Sequence, residues 1–303
     1  MSLSTKAIFT DPEKAREHFE AIRWPSGKPT CPHCGVEDEA TLVQGKSHRP
    51  GLYQCNACRT PFTVTVGTVM EKSHIPLNKW LLGFHLMASS KKGISAHQLH
   101  RLLGITYKSA WFMCHRIREA MTDTSTEPMG GKGKHVEADE TYIGRKRGAK
   151  PVQGGSHKMI VLSLVERGGK VRSFHIDRPT SEKIAPIVAK HVDPASTLNT
   201  DEADHYIGIG RKFAAHGSVA HSRGEYVKGT ASTNTAEGFY SVFKRGMKGV
   251  YQHCGEQHLH RYLSEFDFRY SNRIAVGVDD VARTKRAIEG AEGKRLTYHQ
   301  VSG

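Results

Sequence analysis

HVEADETYI, residues 135–143, is the stretch on which the fold turns. Its period-two pattern predicts a β-strand, and alternation puts Glu137 and Asp139 on one face. Beyond it the chain keeps changing pattern. Met159–Val165 and Val171–Ile176 predict two more strands, and Ser181–Val192 predicts a helix opened by Ser181 and Glu182. Ser196–Thr200 reads as a short strand ending at Asp201, with another at Ser218–His221. Asn234–Lys248 predicts an amphipathic helix that turns Phe239, Val242 and Phe243 towards a core. Three strands, a helix, then alternating strands and helices predict an α/β domain on a mixed sheet.

The acids of this domain carry its chemistry. Glu137, Asp139 and Glu140 cluster on the first strand; Asp201, Glu202 and Asp204 cluster at the end of a later one; Glu237 opens the amphipathic helix. Acids gathered in this way, in a chain whose charge favours a polyanion, are candidate ligands of a compensating divalent ion. Hard carboxylate oxygens suit Mg2+ or Mn2+, and two such ions about 3.5–4 Å apart would serve an in-line phosphodiester displacement. Solvated surface acids are the plain alternative.

Thr122–Lys134, rich in Thr, Gly and Pro, reads as a linker before this domain. Upstream, Leu77–Ser89 predicts one helix, and a helical run carrying Ile94, Leu99, Leu102 and Leu103 ends at Gly104-Ile105-Thr106. A further helix follows from Tyr107 to Met121. Two short helices about a glycine-containing turn predict a helix-turn-helix, with an ordinary helical hairpin as the competing reading. Lys108, Arg116 and Arg118 are its candidate DNA contacts.

Earlier still stand Cys31-Pro-His-Cys34 and Cys55-Asn-Ala-Cys58, with 20 residues between Cys34 and Cys55 (55 − 34 − 1). Each CxxC turn aims two thiolates at one point, and two such turns complete the tetrahedron that Zn2+ fills. GLYQC and FTVTVG nearby predict the short strands of a zinc ribbon. Two disulfides or a redox pair are the alternatives. Cys114 and Cys254 are single thiols and read as packing residues.

The 303 residues carry 44 Lys+Arg against 30 Asp+Glu, a formal charge of +14 spread along the chain. That balance favours a polyanionic partner through counterion release. At 37% hydrophobic residues the chain can build a packed core, and no apolar run reaches the roughly 20 residues a membrane span needs. MSLSTKAIFT has no apolar signal region, so a cytoplasmic protein, bound to the nucleoid when on DNA, is expected.

VEADETYIG around Asp139, LNTDEADHY around Asp201 and NTAEGFYSVFKRGMKGVYQH around Glu237 resemble the three blocks of DDE-type insertion-sequence transposases. The likeness is to the group with an amino-terminal zinc ribbon, the ISXO2-like transposases. HLHRYLSEFDFRYSNR (His258–Arg273) and GKRLTY (Gly293–Tyr298) are similar to that group too, so the resemblance runs from Pro25 onward. Thirty-five residues lie between Asp201 and Glu237 (237 − 201 − 1), a spacing usual in such enzymes.

The resemblance implies a ribonuclease-H-like, retroviral-integrase-like catalytic domain in which Asp139, Asp201 and Glu237 hold two Mg2+ or Mn2+ ions, with Glu137, Glu140 and Glu202 next to them as supporting or surface residues. It matches Lys244 to the family's basic residue after the third acid. Seven residues past Glu237 (244 − 237), Lys244 shares its helix face and would hold a DNA phosphate. Some members use Asn at the third position, which makes Asn234 the alternative to Glu237; a carboxylate neutralises a divalent ion and an amide does not. Asn234 otherwise reads as a helix cap.

The organisation expected is an amino-terminal segment (1–24), a zinc ribbon (25–70), a helix-turn-helix region (75–122), a linker (123–134), the catalytic domain (135–275) and a tail (276–303). Ribbon and helix-turn-helix would recognise terminal inverted repeats. The basic loop GRKRGAK, with Arg145, Lys146 and Arg147, would hold target or flanking DNA. A homo-oligomer in the DNA complex is expected from the family. A zinc-ribbon transcription regulator and a nuclease that cuts without joining are the other functions compatible with these residues.

Overall fold

The computed structural model describes residues 6–153, 155–225 and 227–297. The chain forms two compact units, one of residues 6–90, 94–121 and 280–297 and one of residues 91–93 and 122–279.

The first unit opens with α1 (Ala7–Thr10) and α2 (Pro12–Arg23). Asp11 caps α2 by accepting the Glu13 N–H at 2.8 Å, and Pro12 fills the first helical position, where a missing N–H costs nothing. Next come β1 (Ala40–Leu42), β2 (Tyr53–Cys55) and β3 (Pro61–Phe62), an antiparallel sheet in that order. Tyr53 stacks on Phe62 with ring centres 5.7 Å apart, and Trp24 meets both edge-on. Three helices follow: α3 (Leu77–Ser89), α4 (Ala96–Leu103) and α5 (Tyr107–Ala120). Ser95 accepts the Gln98 N–H to cap α4, Gly104 ends that helix in the left-handed conformation at φ 57°, and Thr106 caps α5. Trp80, Leu81 and Phe84 of α3 are buried, as are Leu99, Leu103, Met113 and Ile117 of α4 and α5. Gly83 on α3 is a close approach: a Cβ there would lie 2.9 Å from the Met113 sulfur.

The second unit holds β4 (His135–Ile143), β5 (Met159–Glu166), β6 (Val171–Ile176), α6 (Ser181–His191), β7 (Thr197–Asp201), α7 (Ile207–Gly210) and β8 (Ala215–Val219). A hairpin of β9 (Val227–Lys228) and β10 (Ala231–Ser232), then α8 (Asn234–Gly246) and α9 (Leu259–Ser271), complete it. The five-stranded sheet runs β6-β5-β4-β7-β8. β5 is antiparallel to both β4 and β6, while β7 is parallel to both β4 and β8. One face packs Val161, Val165, Phe239, Phe243, Leu263 and Phe266 with α8 and α9. The other packs Ala138, Leu162, Leu164, Ile184, Val188 and Tyr206. Covered on both sides, β5 is apolar almost throughout, and α8 passes directly into a π-helical turn at Met247–Tyr251.

α10 (Asp280–Glu289) returns to the first unit. Its Thr284 hydroxyl lies 3.0 Å from His85 Nδ1, and Arg283 donates to the Ala88 carbonyl at 3.3 Å. Residues expected as a tail therefore form a core helix, with Ala287, Ile288 and Ala291 buried. The expected linker differs in the same way. Met129 is buried and bridges to Val192, because its backbone N–H donates to the His191 carbonyl and its own carbonyl accepts from Asp193. FTVTVG contributes only Phe62 to a strand, and Tyr298 of GKRLTY lies outside the described residues. No helix among the described residues is long and apolar enough to cross a membrane.

Candidate active site

The four paired cysteines converge. Their sulfurs all lie within 4.8 Å of one another, with Cys31–Cys58 and Cys34–Cys55 separations of 3.7 Å. All four are free thiols. Sulfurs at tetrahedral corners about 2.3 Å from a zinc ion stand about 3.8 Å apart, so the donor set and spacing fit Zn2+. Disulfide sulfurs would be about 2.05 Å apart.

The acids gather on the sheet of the second unit. β4 and β7 pair in parallel through Glu137 and Asn199, and Asp139 and Asp201 each stand two residues beyond that last pair (139 − 137 and 201 − 199). They are therefore side by side where the two strands part. Asp139 sits opposite Ser163 of β5, and Tyr240 of α8 donates its hydroxyl to the Asp139 carbonyl, which ties this helix to β4 at the same level. Burial pushes the Asp139 carboxyl up to about 7, with Glu140, Asp201 and Glu237 adding their negative charge and the Glu140 N–H opposing. Asp201 is raised too, chiefly by burial. Glu237, in the first turn of α8, is 47% exposed, and its Oε1 lies 3.8 Å from His221 Nε2.

Among the described residues only the cysteines draw three or more donors within 4.8 Å of one another, so Asp139, Asp201 and Glu237 do not close on a single point. Like charges in a partly buried site hold apart, and ligands of a two-ion site need not converge on one ion. Three hard carboxylates, two of them raised in proton affinity by burial, fit divalent cations.

Both units contain segments that match known protein families. Residues 130–271 match the model of the ISXO2-like transposase domain, and residues 10–61 match that of the transposase zinc-ribbon domain. The chain thus carries an ISXO2-like transposase domain following a transposase zinc-ribbon domain. It is also 26% identical over 279 residues to an uncharacterised protein in transposable element ISH50 of Halobacterium salinarum, covering 86% of this chain and 91% of that one.

The other expected residues take varied positions. Lys244 is half-buried in the last turn of α8, and Asn234 is exposed at the first residue of that helix. Asn234 does not cap it: Thr233 holds the cap position without a side-chain bond to the helix N–H groups, and the carboxylate of Glu137 reaches the Ala236 N–H from β4 at 2.9 Å. Lys108 is exposed in the first turn of α5. Arg116 and Arg118, read from the sequence as DNA contacts, are only 9% and 3% exposed. Arg116 lies over the Phe112 ring and donates to the Glu71 carbonyl at 3.0 Å. At about 100° per residue, both point some 80° to either side of Lys108, where α5 is packed. Arg145 and Arg147 are exposed after β4, while Lys146 is half-buried with its ammonium 3.5 Å from the Asp177 carbonyl.

Sequence reasoning left two groups as supporting or surface residues that the fold builds in. Glu137 is fully buried. Glu140 shares the other face of the sheet, where its Oε1 accepts the Tyr206 hydroxyl at 2.6 Å and stands 3.2 Å from His205 Nε2. Their signal was present in the strand alternation, which separates Glu137 and Asp139 from Glu140.

Proposed function

We propose that the chain is the DNA strand-transfer enzyme of an insertion sequence, working at a DDE site of Asp139, Asp201 and Glu237. The observation that carries this is the register: Asp139 and Asp201 stand side by side on adjacent parallel strands, with Glu237 heading a helix packed on the same face. The strand order β6-β5-β4-β7-β8, three antiparallel strands followed by two parallel ones, supports a ribonuclease-H-like reading of the second unit.

Asp139, Asp201 and Glu237 would hold two Mg2+ or Mn2+ ions, which when bound supply Lewis-acid activation and offset charge on the phosphodiester. The chain's own residues orient the DNA. Lys244, two turns along α8 from Glu237, anchors a phosphate beside the acids, and Arg145, Lys146 and Arg147 hold flanking or target DNA beyond β4. The zinc ribbon and the α4–α5 pair, a helix-turn-helix in this reading, recognise the terminal inverted repeats, with Lys108 on a backbone phosphate. One strand at the element's end is hydrolysed to free a 3′-hydroxyl, and that hydroxyl then attacks target DNA in line. No covalent enzyme intermediate is needed; catalysis is positioning and electrostatics. Two ends must be joined, so a homo-oligomer assembles on DNA.

An assay with labelled element ends, a target plasmid and Mg2+ tests this. Joined products that require Mg2+ and disappear in Asp201→Ala support the reading. End binding with neither cutting nor joining, unchanged by Asp201→Ala, would favour a regulator; cutting without joining would favour a nuclease.

A further inference from the structure

Building on the DDE reading, we propose that Glu137 and Arg167 form a positioning clamp that fixes the head of α8, and so Glu237, against the strand carrying Asp139. Glu137 is 0% exposed and lies two residues before Asp139 on the same face of β4. Its Oε1 accepts from Arg167 Nε at 2.7 Å and from the Thr235 hydroxyl at 2.9 Å, and its Oε2 accepts the Ala236 N–H at 2.9 Å. Ala236 immediately precedes Glu237. Arg167, in the turn between β5 and β6, also donates to the Thr230 carbonyl at 2.8 Å, and to the Ser232 carbonyl and hydroxyl at 3.1 and 2.8 Å. One buried carboxylate thus joins β4, the β5–β6 turn, the β9–β10 hairpin and the first turn of α8.

The physics explains why an acid occupies this place. First-turn N–H groups have no partner within a helix, and negative charge is favoured there. Thr233 supplies no side-chain cap, so Glu137 takes the role from another element. The Glu237 N–H bonds the Thr233 carbonyl at 3.0 Å, so the place of Glu237 follows from that of the clamped turn. A buried carboxylate with three donors is stable, whereas removing its arginine leaves an uncompensated charge. Groups that orient metal-holding side chains change metal affinity about 10–100-fold when lost.

The test uses the full-length protein with zinc in place, titrated with Mn2+ and followed by electron paramagnetic resonance. Glu137→Gln and Arg167→Met are compared with wild type and with Asp201→Asn, and folding is checked by circular dichroism. The expected result is that both clamp variants fold yet bind Mn2+ at least about 10-fold more weakly. Strand transfer in them should lose kcat while KM for DNA is held. A folded clamp variant that binds Mn2+ as tightly as wild type would overturn the proposal. Should Glu137→Gln alone fail to fold, Arg167→Met decides; failure of both would make the pair a stability element and also overturn it. The control separates the underlying reading: if Asp201→Asn binds Mn2+ like wild type, the carboxylate site itself falls, and the clamp with it.

Discussion

Arg116 and Lys108 sit eight residues apart on α5, yet one is enclosed and the other faces solvent. Lys108→Ala should weaken DNA binding uniformly across sequences and lower the salt slope by about one ion. Arg116→Ala should leave that slope unchanged and destabilise the fold by about 1–3 kcal/mol, because the Glu71 carbonyl loses its donor. Salt-dependent binding titrations and urea melts check the two. Sequence showed the charge of Arg116 and Arg118 but not their surroundings, since an arginine on a helix looks the same whether or not neighbouring helices enclose it. The four cysteines were legible for the opposite reason: their spacing alone fixes where the sulfurs must meet.

At the scale of elements, α9 joins the sheet through Asp267. Its carboxyl accepts the Ser173 N–H and hydroxyl, each at 2.7 Å, yet burial pushes its pKa from the ordinary 3.8 up to about 7. The folded state therefore binds the proton more tightly than the unfolded chain. Between pH 4 and pH 7 the folded form holds more protons, so this group makes stability fall as pH rises. Asp267→Asn, whose amide can keep one acceptor and one donor towards Ser173, removes that dependence. Urea midpoints should rise in the variant relative to wild type between pH 4 and pH 8; a constant difference would contradict this. The strands were legible because β5 is a nearly continuous apolar run and β4 beside it follows a period-two pattern. α10 was not: DVARTKRAIE is mostly polar, and its docking face includes Arg283 and Thr284, whose partners lie about 200 residues earlier.

Across the whole molecule, the ribbon is expected to depend on a zinc ion for its fold. Its strands have only three, three and two residues, too little core to fold alone. Stripping zinc with a chelator should abolish amide-exchange protection in β1–β3 and alter Trp24 fluorescence, while β4 and β5 keep their protection. Retained protection in β1–β3 without zinc would contradict a structural metal. The domain order was legible because cysteine turns, helical patterns and alternating strands follow one another along the chain. How the chain returns at α10 was not, because a contact between distant segments leaves no local pattern.

The most direct measurement is strand transfer of labelled element ends into a plasmid with Mg2+, comparing Glu237→Gln with Asn234→Ala. Glu237→Gln should lose about 100-fold or more of joined product, as expected when a charged transition-state contact is removed, while Asn234→Ala stays within a few-fold of wild type. Full joining by Glu237→Gln would contradict the assignment of Glu237 as the third acid.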